Sequence, residues 1–144
     1  MKALLGRTLS EWGYDVLDLG TDNGSESVDY PDFGAAVGRA VVAGEADLGV
    51  AICGSGVGIS MAANKVPGVR AALAHDATSA RLAREHNHAN VLCLGARLLG
   101  DAVAIDTLEA WLRAVPGVGR HLGRIEKLDA LDGRLAATER ETSP

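Results

Sequence analysis

Asp47-Leu-Gly-Val-Ala-Ile-Cys-Gly-Ser-Gly-Val-Gly-Ile-Ser-Met-Ala-Ala-Asn-Lys65 is the stretch whose reading decides the fold. Leu48 to Ile52 is an apolar run without alternation, the pattern of a strand covered on both faces of a parallel sheet. It leaves Cys53 at the strand's carboxyl end. Gly54, Gly56 and Gly58 then alternate with Ser55 and Val57, so the backbone can come close to a ligand and aim several N–H groups at one anion. Ile59 to Lys65 opens a helix whose N-terminus adds partial positive charge at the same place. Ligands of open α/β sheets bind beyond the carboxyl ends of the strands, so a thiol is expected to face an anion site.

Working outward toward the C-terminus, Pro67-Gly68 breaks the chain before a second strand expected over Val69 to Ala74. Asp76 caps a helix running to about His86, and Val91 to Leu94 is a further strand closed by Gly95. Ile105, Leu108, Trp111, Leu112 and Val115 mark one face of the next helix, ended by Pro116-Gly117. Ile125, Leu128, Leu131 and Leu135 recur at helical spacing in an arm over residues 118–140, expected to pack on this domain or on a neighbouring subunit. Toward the N-terminus, Gly20 to Asp29 is a polar loop, with Asp29 as cap and Pro31 in the first turn of a helix carrying Val37, Ala40 and Val41 and ending near Gly44. Val16 to Leu19 is expected as a strand. Met1 to Trp12 reads as a helix with Leu4, Leu5 and Leu9 on one side and Gly13 as its stop. Strands alternating with helices imply an α/β fold: a three-layer, doubly wound, Rossmann-like parallel sheet in one domain over residues 1–144.

The 144 residues, 47% of them apolar, suffice for one core, and the net charge of −5 argues against a nucleic-acid or anionic-membrane partner. The apolar runs are too short for a membrane span and the start lacks a signal-peptide pattern, so a cytoplasmic protein is expected. Cys53 and Cys93 lie in or beside strand-like runs and read as free thiols. Cys93, inside Val-Leu-Cys-Leu, suits a small buried hydrophobe, whereas the glycines and helix start beside Cys53 make an electropositive setting that favours thiolate. A dinucleotide site fails on spacing, because the third glycine of its fingerprint would fall at Ile59, and no Lys-Ser or Lys-Thr pair completes a phosphate loop. His86 and His88, two apart, cannot share a helix face, so no metal site is expected. Arg120 and Arg124 stand one helical turn apart, an arrangement that suits a phosphate or, more commonly, a solvated surface.

Asp29-Tyr30-Pro31, Cys53-Gly54-Ser55-Gly56-Val57-Gly58-Ile59-Ser60, Ala63-Asn64-Lys65, Arg84-Glu85-His86-Asn87, Asn90-Val91-Leu92, Gly95-Ala96-Arg97 and Gly119-Arg120-His121 together resemble the type B ribose-5-phosphate isomerases, in a superfamily that includes the galactose-6-phosphate isomerase subunits. The resemblance implies that ribose 5-phosphate and ribulose 5-phosphate are interconverted through an enediolate without cofactor or metal. It makes Cys53 the base, Gly54, Ser55, Gly56, Val57 and Gly58 the nest for the enediolate oxygens, and His86 the group that assists ring opening. Tyr30 would line the pocket, Asn87 and Arg97 would touch the sugar, and Arg120 and Arg124 would hold its phosphate. The site would be shared between the subunits of a homodimer, alone or within a tetramer. Relatives with a glutamate base carry it where this chain has Ile59, which places the chain with the thiol type. The resemblance also implies a first strand ending in an Asp-His pair ahead of the first helix. The sequence given opens within that helix, at Met1-Lys2-Ala3-Leu4, so neither falls inside it. Two alternatives stand beside this reading: an isomerase of a six-carbon sugar phosphate such as galactose or allose 6-phosphate, and a catalytically impaired protein that binds sugar phosphates or a partner subunit.

Overall fold

The computed structural model describes residues 1–133. Along them run α1 (Lys2–Glu11), α2 (Tyr30–Val42), β1 (Gly49–Cys53), α3 (Val57–Asn64), β2 (Ala71–Leu73), α4 (Ala77–Asn87), β3 (Val91–Gly95), α5 (Asp101–Arg113) and α6 (Arg120–Leu131). The sheet is parallel with the order β1-β3-β2; β1 pairs with β3 from Gly49 opposite Val91 to Cys53 opposite Gly95. The last of the described strands is thus the central one.

β3 is buried along its whole length, and its alternation divides the core. Leu92 and Leu94 face a cluster with Leu5 of α1, Ala80 of α4, and Ala104, Leu108 and Trp111 of α5. Val91 and Cys93 face the other way, onto Ala51, Ile59, Ala63 and Val69, with Phe33, Val37 and Val41 of α2 packed around them. Helices therefore cover both faces, giving the three layers expected. Each large aliphatic side chain buried on β3 contributes about 1.5–3 kcal/mol, and this is why a strand with no polar face is stable here.

Two asparagines pin the strand starts. Asn64 grips Ala71 with both halves of its amide, accepting from the Ala71 N–H at 2.8 Å and donating to its carbonyl at 2.9 Å. Asn90 accepts from the Arg70 N–H at 2.7 Å and donates to the Gly68 carbonyl at 2.9 Å. The strand expected over Val69 to Ala74 consequently narrows to Ala71–Leu73, because Val69 bonds back into the turn at Val66 and Arg70 is committed to Asn90.

Other expectations are corrected. Val16 to Leu19 is not a strand: no described strand lies alongside it, Val16 and Leu17 are exposed, and the segment is tied to α1 by an ion pair from Lys2 to Asp18 at 2.7 Å. α2 begins at Tyr30 with Asp29 at the cap position, but the Asp29 carboxylate makes no capping bond. α3 starts at Val57, inside the glycine segment rather than after it. α5 ends at Arg113, which leaves Val115 beyond the helix and exposed. Among the described residues of the C-terminal arm only Ile125 is buried; Leu128 and Leu131 are exposed, and Leu135 lies outside the described residues. Among the described residues no helix is long and apolar enough to cross a membrane, and no group of His, Cys, Asp and Glu is placed to hold a metal ion.

Candidate active site

The carboxyl ends of β1 and β3 meet where the chain leaves both strands. The Ala96 N–H donates to the Cys53 carbonyl and the Arg97 N–H to the Gly54 carbonyl, each at 2.9 Å, which staples the two exit loops together. Gly56 has φ +79° and precedes α3; a β-carbon there would come within 2.5 Å of Leu73 and 2.9 Å of the Leu94 backbone. Both the left-handed turn and the close approach thus require glycine. The turn swings the Gly56 N–H back onto Cys53 Sγ at 3.1 Å, and the Val57 N–H lies 3.3 Å from Ser55 Oγ. The N–H groups that follow in the first turn of α3 lack intrahelical partners, as at any helix start.

Two further side chains close around this loop. The Tyr30 ring lies over Gly58, where a β-carbon would meet it at 2.5 Å, and the Arg97 guanidinium reaches Gly54 at 3.3 Å from the same construction. Cys53 is half-buried against the α2–α3 core, whereas Cys93, one strand over, is fully buried, and burial pushes its thiol up to about 12. The two thiols therefore divide as their neighbours in sequence suggest: one opens to a polar loop and one belongs to the core.

His86 is elsewhere. α4 leaves the carboxyl end of β2 and runs back beside the sheet, with the Asp76 carboxylate capping it through the Ser79 N–H at 2.7 Å. That bond holds the Asp76 pKa below the usual carboxylate range. The helix ends at Asn87, just before the amino end of β3, while Cys53 is level with Gly95 at the carboxyl end. Four residue steps of strand, about 13 Å, separate the two levels. His86 lines a groove of about 540 Å³ with Glu85, Gly117, His121 and the end of α5, and none of Cys53 to Gly58 borders it. Its ring is stacked on that of His121, with centroids 4.6 Å apart. The His121 pKa is lowered, first by burial and then by the positive fields of His86, Arg120, Arg124 and His88. Asn87, Arg120 and Arg124 are exposed near this end.

The residues singled out from the sequence thus fall into two groups within one chain: Tyr30, Cys53 to Gly58 and Arg97 at the carboxyl rim, and His86, Asn87, Arg120 and Arg124 by the His86 groove. Sequence reading gave no separate part to His121, Gly117 or His88, whose proximity to His86 comes from three stretches of chain.

The sequence family described as ribose/galactose isomerase matches residues 1–128. The chain belongs to this family. Ribose-5-phosphate isomerase B of Escherichia coli (strain K12) is a relative 46% identical over 126 residues, covering 88% of this chain and 84% of that protein. Ribose-5-phosphate isomerase B of Clostridium thermocellum superposes with a TM-score of 0.90 at 48% identity, covering 93% of this chain and 90% of that one. The enzyme of Mycoplasma genitalium, solved with bound ribulose-5-phosphate, superposes at 0.88 with 41% identity over 92% and 88% of the two chains. At such identity the ribose/galactose isomerase fold carries over.

Proposed function

We propose that this chain is a cofactor-free aldose–ketose isomerase that interconverts ribose 5-phosphate and ribulose 5-phosphate in the cytoplasm, with its active site completed between two copies. The observation that carries the reading is the Cys53 loop, where one half-buried thiol receives the Gly56 N–H at 3.1 Å at the start of a helix. The donor aimed at the sulfur and the helix start beside it fix this side chain at the rim, where a base that takes a proton from carbon has to stand.

In this mechanism Cys53, as the base, removes the proton from C2 of the open-chain aldose and returns it to C1. The enediolate oxygens form in front of the donors from Gly54 to Gly58, which are fixed before the reaction begins and so need no reorganisation as charge develops. Tyr30 and Arg97 border the sugar. His86 assists opening of the furanose ring, Asn87 contacts the substrate, and Arg120 and Arg124 take the phosphate with charge-assisted bonds. Because His86 and Cys53 stand at opposite ends of one sheet, the base of one copy works with the His86 groove of another. The exposed Val115 and Val118, either side of the Gly117 crossing, favour such pairing, since apolar side chains on one rim gain by being covered.

Turnover of ribose 5-phosphate by the purified chain, followed by appearance of the ketose, tests the reading. Robust isomerisation is the expected result. No conversion of ribose 5-phosphate alongside rapid conversion of a six-carbon aldose phosphate would move the substrate assignment, and no conversion of either would remove it.

A further inference from the structure

His86 has a neighbour that the ring-opening role alone does not use. The His121 imidazole, on the second residue of α6, lies on that of His86 with centroids 4.6 Å apart and an interplanar angle of 8°. The chain between α5 and α6 is fastened to the end of α4 at Gly117. Its N–H donates to the Glu85 carbonyl at 2.7 Å, and its carbonyl oxygen is 2.6 Å from His88 Nε2. A β-carbon at position 117 would come within 2.5 Å of the Glu85 carbonyl oxygen and 3.1 Å of His121 Cδ2, so glycine is what lets the chain pass this close beneath the ring. His88 is itself held in the left-handed region, φ 49°, at the end of α4. His121 Nδ1 is buried without a hydrogen-bond partner among the described residues, so packing rather than a polar tether sets that ring's place.

The geometry points to His121 as a positioning residue for His86: a flat plate, anchored through Gly117, that holds the exposed imidazole in one plane. The inference rests on the ring-opening role proposed above for His86. Without the plate, an exposed side chain at a helix end distributes among staggered wells. Opening the furanose removes the proton from the C1 hydroxyl, breaks the C1–O4 bond, makes C1 a carbonyl and puts a proton on O4. An imidazole that serves those two oxygens must keep a nitrogen within hydrogen-bond reach of them. Burial first, and then the positive fields of His86, Arg120, Arg124 and His88, disfavour the charged form of His121.

Ring opening is separable from isomerisation. In a Cys53→Ala background the base is gone, and opening is read as exchange between the α and β anomers of ribose 5-phosphate by exchange NMR. The Cys53→Ala protein is expected to accelerate that exchange, and adding His86→Ala to abolish the acceleration. Adding His121→Leu is expected to lower it about tenfold or more, as misplacement of a catalytic group does. His121→Phe, which restores a flat face, should leave it nearly unchanged. Leu and Phe both fill the space with apolar atoms, and His121→Met offers a second filling that is not flat should the leucine variant fail to fold. Equal acceleration in the parent, Leu or Met and Phe proteins overturns the proposal, as does a loss in the Phe variant as large as that in the others, or no acceleration by the Cys53→Ala protein at all. Failure of the isomerase reading is seen separately, as absence of ribose 5-phosphate turnover by the unsubstituted chain.

Discussion

The Cys53 loop and the His86 groove are built in opposite ways. Cys53 to Gly58 is one contiguous run, closed on itself by the Gly56 N–H on sulfur and stapled to Ala96 and Arg97 by backbone bonds. The His86 groove draws on the end of α4, the Gly117 crossing and the start of α6, joined through Gly117 and a ring stack. Local sequence can dictate the first, because neighbouring residues meet whatever the rest of the chain does. The second exists only once α4, α5 and α6 have packed. A single chain also keeps the two apart, with Cys53 level with Gly95 and His86 just ahead of Val91.

The largest expected effect attacks the contiguous half. Cys53→Ala should lower turnover by about 10²–10⁴-fold, the usual contribution of a positioned general base, with little change in unfolding temperature. Near-normal turnover would take the base assignment away from Cys53. A sharper version sets the two halves against each other: Cys53→Ala and His86→Ala proteins, each inactive, are mixed after subunit exchange. Random pairing puts half of the dimers in the mixed form with one intact site each, so activity should return to about a quarter of the unsubstituted level. If mixing restores nothing although exchange is shown by mass spectrometry of tagged chains, the two halves do not meet across subunits.

A smaller effect belongs to the phosphate end. Arg120→Ala and Arg124→Ala should each raise KM for ribose 5-phosphate, with a loss of about 1.5–3 kcal/mol for a charge-assisted hydrogen bond, and inorganic phosphate should compete less well with each variant. Unchanged KM and phosphate inhibition would return both arginines to ordinary surface charge. pH separates the regions further. The His121 pKa is lowered in the folded chain, so the unfolded chain binds more protons as pH falls below about 6.5 and stability is lost in that direction. His121→Phe should flatten this part of the stability-versus-pH curve measured by urea unfolding, and an unaltered slope would show that His121 does not contribute to it.

The smallest expected effect is at Cys93. Its thiol is fully buried and pushed up to about 12, so it is neutral at any working pH and acts by packing. Cys93→Ala should cost about 1 kcal/mol in unfolding free energy and leave kcat/KM unchanged. A fall in turnover without loss of stability would give this thiol a part in catalysis.

Much of this protein was legible before folding. Uninterrupted apolar runs at Leu48 to Ile52 and Val91 to Leu94 announce strands covered on both faces, because only burial on two sides rewards a strand with no polar side. The thiol at a strand end, followed by alternating glycines and a helix, is set at the sheet's carboxyl rim by chain connectivity alone. Even the different fates of Cys53 and Cys93 follow from their immediate neighbours. Other features depended on a partner in space. Val16 to Leu19 has a strand's composition but no described neighbour to ladder with, and a ladder is a property of two segments. Asn64 and Asn90 read as motif residues, yet their amides go to backbone groups of Ala71, Gly68 and Arg70 that only the folded turns bring within reach. The stack of His121 on His86 and the separation of His86 from Cys53 were decided by the path of α4 back along the sheet. Hydrophobic periodicity and backbone freedom act between residues adjacent in sequence and so can be read from it, whereas distances between side chains on different elements are set only when those elements pack.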